Sequence, residues 1–192
     1  VQTARSSTTG MEDDAMKRTV FLGCLLLLTG SLAYSADEGS WKSAEAEIKD
    51  SRGQTVGSAV FTPTPIGVAV VVEVSKLAPG NHGIHVHAAG ICEPPDFKTA
   101  GGHFNPLAKK HGLKSPEGAH SGDLPNLEVG PNEKGKLTAM LLNATLDVSV
   151  TASLLGPNGS SIVIHAKADD EMTDPSGNSG DRIACGVIIG KR

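Results

Sequence analysis

The sequence predicts an all-β domain, an eight-stranded antiparallel Greek-key barrel or sandwich with one long loop and a second, shorter irregular loop. Three observations predict this fold class. The chain has 23 glycines and only 3% aromatic residues, a composition that suits short strands and tight turns. Short segments with strand periodicity recur between turn signals. No segment has a convincing amphipathic-helix pattern, and no internal repeat is present.

Four strands are predicted in the first half of the domain. Residues 44–49 alternate Ala-Glu-Ala-Glu-Ile-Lys, the period of a half-buried strand. After a turn signal at 50–53, residues 55–62 form the partner strand, which Pro63-Thr64-Pro65 is expected to break. The next strands are the valine-rich segment 66–74 and, after the turn signal Ala78-Pro79-Gly80-Asn81, residues 82–88.

The periodicity is then lost over residues 89–124, which hold three of the seven histidines. A stretch this long without regular structure is usually functional or disordered, and the histidines favour function. The pattern resumes further along the chain, where a second irregular loop, 169–181, separates the last two strands. The predicted strands are 126–129, 136–142, a further one near 147–154, 160–166 and 183–189.

The first 35 residues are predicted to lie outside the domain. A short basic start at Met16-Lys17-Arg18, an apolar run from Val20 to Leu28 and small residues up to Ala36 have the three-part pattern of a secretory signal peptide. Cleavage after Ala33 or Ser35 fits equally well. A lipoprotein signal at Cys24 is the alternative, although most of the apolar run follows that cysteine.

This interpretation divides the chain into three parts. Residues 1–35 are upstream residues and the signal peptide, residues 36–43 are a linker, and residues 44–192 are the domain. The protein is therefore expected to be exported, to the periplasm or outside the cell, with no membrane contact after signal cleavage. Residues 36–192 keep the whole net charge of −4, which argues against nucleic acid as a partner.

Export also determines what the cysteines are expected to do. Cys24 would leave with the signal peptide, so Cys92 and Cys185 remain as an even pair in an oxidising compartment. A disulfide between them is the default expectation. Two buried free thiols are the alternative.

His85-Val86-His87 is the first candidate metal-binding pair, because positions i and i+2 of a strand point to the same face. A pair of structural histidines is the alternative. His165 lies in the otherwise apolar strand Ile162–Ala166, where a lone histidine is more often a core residue. With the His85 and His87 pair as neighbours it becomes a third candidate, and imidazole-only sites suit copper.

The long loop adds a second candidate set, made of three imidazoles and one carboxylate. These residue types are a typical closed tetrahedral set for zinc, and a bound ion would offset the entropy of ordering the loop. A solvated loop that happens to contain histidines is the alternative. The four residues are His103, His111, His120 and Asp123.

Five segments resemble the motifs of the copper/zinc superoxide dismutase family. The resemblance covers roughly residues 44–190, and the short Gly90–Pro94 passage and the compact loop after Asp170 resemble its bacterial exported branch. The segments are Gly83-Ile84-His85-Val86-His87, Gly102-His103-Phe104-Asn105-Pro106, His120-Ser121-Gly122-Asp123-Leu124, Ile164-His165-Ala166-Lys167-Ala168-Asp169 and Asp181-Arg182-Ile183-Ala184-Cys185-Gly186-Val187.

The resemblance implies dismutation of superoxide to oxygen and hydrogen peroxide by alternating reduction and oxidation of a histidine-bound copper, with zinc as structural partner. Each subunit would hold one copper ion and one Zn²⁺, and the two loops would be a metal-binding loop and an active-site loop. Copper would be held by His85, His87, His103 and His165, and zinc by His103, His111, His120 and Asp123. His103 would bridge both metals and carry a proton in catalysis.

The resemblance also assigns residues around the metals. Asp169 would tie His85 to His111, Arg182 would dock the anionic substrate, and Ser176 would narrow the channel. Cys92 and Cys185 match the family disulfide, which would hold the metal-binding loop near Arg182. His82 matches a structural position.

The steering pattern and the assembly state are less defined. Lys98 and Lys167 are either steering residues or solvated lysines. Pro175 and Ala88 depart from common family residues and put the steering pattern in doubt. A homodimer is possible, because both monomers and dimers occur in the family.

Overall fold

The computed structural model describes residues 41–192, which form ten β-strands and one short 3₁₀-helix at Lys98–Ala100. This part of the chain contains no α-helix, and none of its helices has the length and apolar content that a membrane crossing requires. The strands are β1 (Ser43–Asp50), β2 (Thr55–Thr64), β3 (Gly67–Ser75), β4 (Gly80–His82), β5 (Ile84–His87), β6 (Leu127–Val129), β7 (Lys134–Leu142), β8 (Ser161–His165), β9 (Arg182–Val187) and β10 (Ile189–Lys191).

One antiparallel sheet contains all ten strands, in the order β4-β6-β7-β3-β2-β1-β9-β8-β5, with β10 also paired to β1. Its two edge strands, β4 and β5, are consecutive in the chain and are separated only by Gly83. The Gly83 N–H donates to the Lys167 carbonyl, and the Gly83 carbonyl accepts from the His165 N–H, each at 2.8 Å. The sheet therefore curls into a nearly closed barrel, which confirms the predicted all-β antiparallel class.

Nine segments are predicted as strands for the eight-stranded fold; one of them forms no strand and two are each divided, which gives the ten strands observed. Residues 82–88 divide at Gly83 into the end of β4 and β5, and residues 183–189 divide at Ile188 into β9 and β10. The second strand does not end before Pro63 but continues to Thr64. Pro63 pairs with Val68 of β3. On the other side of β2, the pairing with β1 extends only to Phe61, so the missing N–H of Pro63 removes no hydrogen bond to β1.

The strand predicted near 147–154 is wrong. These residues form turns, and only an isolated bridge joins Thr145 to Ser153. Asp147 accepts hydrogen bonds from both the N–H and the hydroxyl of Ser149. Such local side-chain bonds give the backbone an alternative to a sheet ladder, and Val148 is half exposed.

The core fills the barrel with alternating residues of its strands. In β3, for example, Val68, Val70 and Val72 are fully buried while their neighbours are partly accessible. A second, small apolar cluster contains Phe97, Ala100, Val163 and Cys185, with Cys92 packed against it. It holds the long loop against β8 and β9, where Cys92 and Cys185 form the expected disulfide.

The domain begins slightly earlier than predicted. Trp41 packs against the core, and the Lys42 N–H donates to the Lys191 carbonyl, so both residues of the expected linker belong to the folded domain. The predicted signal peptide and residues 36–40 lie outside the described residues.

Candidate metal centre

The long loop returns twice to the edge of the sheet, beside β5. Val86 donates its N–H to Gly122 and accepts the N–H of Phe104, while Gly122 donates to Phe104. These bonds place His103 opposite His87, and Asp123 opposite His85, as isolated bridges. The β5 edge is thus covered by the loop that carries the other histidines.

The predicted copper ligands come together in one buried group. One nitrogen from each of four imidazoles lies within 4.8 Å of the others. Each of these nitrogens is buried without a hydrogen-bond partner, an arrangement that is costly unless something else satisfies the lone pairs. A cation held by four neutral imidazoles fits this donor set. The four atoms are His85 Nδ1, His87 Nε2, His103 Nε2 and His165 Nε2.

The other ring nitrogens explain why these particular atoms face one another. His87 Nδ1 donates to the Gly101 carbonyl at 2.9 Å, and His165 Nδ1 donates to the Gly180 carbonyl at 3.1 Å. A carbonyl can only accept, so both rings carry their proton on Nδ1 and leave Nε2 as a lone pair. His85 is turned the other way, because its Nε2 meets the Asp169 carboxylate at 2.6 Å.

The predicted zinc ligands form a second group, which shares His103 with the first. The Nδ1 atoms of His103, His111 and His120 lie 3.0, 3.1 and 3.3 Å from Asp123 Oδ1, and His120 Nδ1 is 3.3 Å from His103 Nδ1. Four ligands about 2.0–2.1 Å from a tetrahedral zinc would be about 3.3 Å apart. The spacing therefore fits a tetrahedral ion.

Asp169 connects the two groups. Its carboxylate meets His85 Nε2 and, at 3.0 Å, His111 Nε2. The Asn126 side-chain amide pairs with the Asp169 main chain, accepting its N–H at 2.7 Å and donating to its carbonyl at 2.8 Å. Gly177, at φ +61°, leaves the space that the carboxylate occupies, since a Cβ there would overlap Asp169 Oδ1. The carboxyl group is thus held between two imidazoles, while Asn126 holds the main chain of the same residue.

The protonation states suit cation binding. Burial is the main cause that lowers the pKa of three imidazoles of the first group, and neighbouring imidazoles lower it further: His87 to about 2, His165 to about 3 and His103 to about 4. Burial would raise the pKa of Asp123, but hydrogen bonds with the three histidines around it hold that pKa well below its usual value. Neutral imidazoles and an ionised carboxylate are the metal-binding forms.

His111 differs from the other imidazoles. Burial lowers its pKa, but hydrogen bonds with Asp123 and Asp169 outweigh burial and raise it to about 9. Its two nitrogens both face carboxylates, so the ring is protonated unless a cation replaces the proton on one of them.

Arg182 lies at the start of β9 beside the first group, close enough that its charge lowers the pKa of His87 and His165. Its guanidinium is half-buried and donates to the carbonyls of Phe97 and Gly101, each at 2.7 Å. Gly101 therefore accepts from both His87 and Arg182. The remaining face of Arg182 lines a cavity of about 490 Å³, whose rim includes Lys98 and Asp96, paired at 2.8 Å.

These features coincide with a known family. Residues 55–188 match the family described as Copper/zinc superoxide dismutase (SODC). The chain belongs to this family. It is 41% identical to "Superoxide dismutase [Cu-Zn] 1" of Aquifex aeolicus over 168 residues, which are 86% of this chain and 95% of that protein.

Solved structures of relatives share the fold. A superoxide dismutase-like protein from Bacillus subtilis is 39% identical, with a TM-score of 0.71 over 74% of this chain and 96% of that one. The Cu/Zn superoxide dismutase from Brucella abortus is 30% identical, with a TM-score of 0.60 over 76% and 98% of the two chains.

Some residues that match superoxide dismutase positions lie outside the two metal-binding groups. Ser176 is half-buried in the second loop, where its carbonyl accepts from Ser179, and it does not line the cavity beside Arg182. Its channel role remains a prediction. Lys167 packs its stem near Gly180 and is exposed. His82 is buried between the carbonyls of His165 and Ala78, outside both groups.

Several residues of the centre were not predicted from the sequence. Asn126 and Gly177 hold Asp169, and the Gly101 carbonyl links His87 to Arg182. A side chain that bonds a distant main chain leaves no periodic signal. The Gly101-Gly102 pair before His103 was the one sequence feature that could have indicated a special backbone conformation here, because Gly101 adopts φ +75°.

Proposed function

We propose that the protein dismutates superoxide to oxygen and hydrogen peroxide, with copper in the first group and zinc in the second. The observation that carries this proposal is the set of four buried, unpartnered imidazole nitrogens beside a half-buried arginine. Copper, when bound there, supplies one-electron exchange with superoxide in both directions.

The residues of the first group would hold copper through His85 Nδ1 and the Nε2 atoms of His87, His103 and His165. The second group would hold zinc through Asp123 and the Nδ1 atoms of its three histidines. Each of the three copper-facing rings on β5 and β8 is supported by an acceptor on its other nitrogen, which fixes ring orientation and increases ligand basicity.

His103 and Arg182 would do the remaining chemistry. His103 keeps Nδ1 at Asp123 while its Nε2 makes no hydrogen bond, so Nε2 is the atom that can hold a proton and give it to the reduced product. The Arg182 guanidinium keeps its charge at working pH, and one face of it opens to the cavity. It would dock the superoxide anion next to the first group.

The test is a metal analysis followed by an activity assay on the processed protein. One copper and one zinc per chain, a copper EPR spectrum typical of nitrogen ligands and rapid removal of superoxide are expected. Protein that carries both metals at full occupancy and does not remove superoxide would contradict the enzyme proposal.

A non-catalytic copper-binding or copper-delivery module is the second candidate, because a relative from Bacillus subtilis that shares the fold is described only as SOD-like. Arg182 and His103 distinguish the two, because delivery requires neither a docked anion nor a histidine shared between groups. Copper transfer to an acceptor at a rate unchanged in Arg182→Ala, without dismutation, would support delivery.

We also propose export to the periplasm or the extracellular space, with residues 1–35 removed. The disulfide supports an oxidising compartment. A homodimer remains a proposal as well. Mass spectrometry of the mature protein and light scattering test the cleavage site and the oligomeric state.

A further inference from the structure

Asp174, in the second irregular loop, contacts two of the three histidines around Asp123. Its Oδ1 accepts the main-chain N–H of His111 at 2.8 Å and lies 3.9 Å from Nε2 of His120. Its Oδ2 is 3.3 Å from Lys110 Nζ. The side chain is 42% exposed, so solvent screens its charge in part. None of the five family motifs contains this residue.

The position of Asp174 completes a pattern among the three histidines. Each presents Nδ1 to Asp123, which leaves Nε2 for a second partner. For His103 that nitrogen belongs to the first group, and for His111 it meets Asp169. For His120, the carboxylate within ion-pair distance of Nε2 is that of Asp174.

We infer that Asp174 is a positioning residue for the zinc-binding group. It fixes the His111 main chain through a hydrogen bond, and its charge supports His120 from outside the group. This inference rests on the proposed function, since it assumes that the second group holds zinc.

The physical reason lies in what a bound cation does to an imidazole. A cation on Nδ1 draws charge from the ring and makes the Nε2–H more positive. A carboxylate nearby then stabilises the bound state more than the metal-free state. Lys110 offsets part of this effect, and the 3.9 Å separation is longer than a hydrogen bond. Mutation of a residue that supports a metal ligand typically lowers metal affinity by about 10–100-fold. We therefore expect an effect at the lower end of this range, about tenfold in zinc affinity.

The test compares Asp174→Asn with Asp174→Ala. Asparagine keeps an oxygen for the His111 N–H and removes only the charge, whereas alanine removes both. Asp170→Asn is the matched control, because Asp170 lies in the same loop and makes its hydrogen bonds within that loop, to Met172, Thr173 and Asn178. The measurements are zinc affinity by competition with a chromophoric chelator, the visible absorption of the Co²⁺-substituted protein, and the thermal midpoint of the metal-free protein.

Asp174→Asn is expected to weaken zinc binding about tenfold and to shift the Co²⁺ absorption, with an unchanged metal-free thermal midpoint. Asp174→Ala should weaken binding further, and Asp170→Asn should leave binding unchanged. Wild-type affinity and spectrum in Asp174→Asn, or an equal loss in Asp170→Asn, would overturn the inference. A lowered metal-free midpoint in Asp174→Asn would overturn it too, since the role would then be structural. Failure of the wild-type protein to bind one Zn²⁺ or Co²⁺ would instead contradict the proposed function.

Discussion

Replacing Gly177 with alanine is expected to displace the Asp169 carboxylate from between His85 and His111. A Cβ at position 177 would overlap Asp169 Oδ1 and lie 2.8 Å from His111 Nε2. The carboxylate must then retreat by roughly 1.5–2 Å to reach an ordinary contact distance. That shift takes its 2.6 and 3.0 Å contacts to about 3.5 Å or beyond, where hydrogen bonds are no longer formed.

The cost has two parts. Alanine in the left-handed region, at φ +61°, costs about 1–2 kcal/mol. Each lost hydrogen bond to the buried carboxylate costs about 1.5–3 kcal/mol. The free energy of unfolding of the metal-free protein should therefore fall by about 4–8 kcal/mol. The lower value applies if water forms hydrogen bonds with the displaced carboxylate. Affinity for metal should fall about 10–100-fold, because the orientation of both rings is lost.

The matched control is Gly53→Ala. Gly53 also has a positive φ, +78°, but no atom lies within 4 Å of a Cβ built there. Only the backbone cost of about 1–2 kcal/mol applies. Denaturant unfolding and chelator competition measure both quantities. Equal losses of stability in the two variants, with wild-type metal affinity in Gly177→Ala, would contradict this prediction.

Four further predictions concern the anion-docking region and the metal-free protein. Arg182→Ala should keep its copper in metal analysis but lower the dismutation rate about tenfold, the equivalent of about 1.4 kcal/mol of docking energy; an unchanged rate at low salt would reject docking. Cys92→Ser should lower the free energy of unfolding by about 4–5 kcal/mol in the chain-entropy model, because the disulfide joins residues 93 positions apart; an unchanged denaturation midpoint would contradict this. Asp96→Asn, which frees Lys98 from its ion pair, should raise the rate about twofold and steepen its salt dependence through electrostatic steering, for which this family is itself a known example; a lower rate in stopped-flow would argue against it. Metal-free protein should lose stability as pH falls below about 6.5, because the three imidazoles with lowered pKa take up protons only on unfolding; denaturation at pH 7.5 and 5 measures this loss, and equal stability would contradict it.

Much of the fold could be predicted because strand periodicity is local. The alternation in residues 44–49 and the valine run in 66–74 correspond to β1 and β3 within one or two residues. The segment 147–154 shows the limit of this reasoning. It was predicted as a strand, but Asp147 bonds Ser149 locally, and the chain turns.

The residues available for metals could be predicted from the sequence, because every candidate ligand except His111 lies in one of the five motifs. The two predicted sets do form two groups that share His103. Which nitrogen of each ring faces its group could not be predicted in this way. That choice depends on acceptors elsewhere in the chain, such as the Gly101 carbonyl for His87 and the Gly180 carbonyl for His165.

The residues that surround the metal centre could not be predicted from the sequence either. Asn126, Asp174 and Gly177 support it through contacts between loops, and such contacts carry no periodicity or motif that a single sequence reveals. The two kinds of feature differ in how far apart along the chain the interacting residues lie. Side-chain type and local period are properties of neighbouring residues, whereas ring orientation and the support of Asp169 arise only when two loops pack together against β5 and β8.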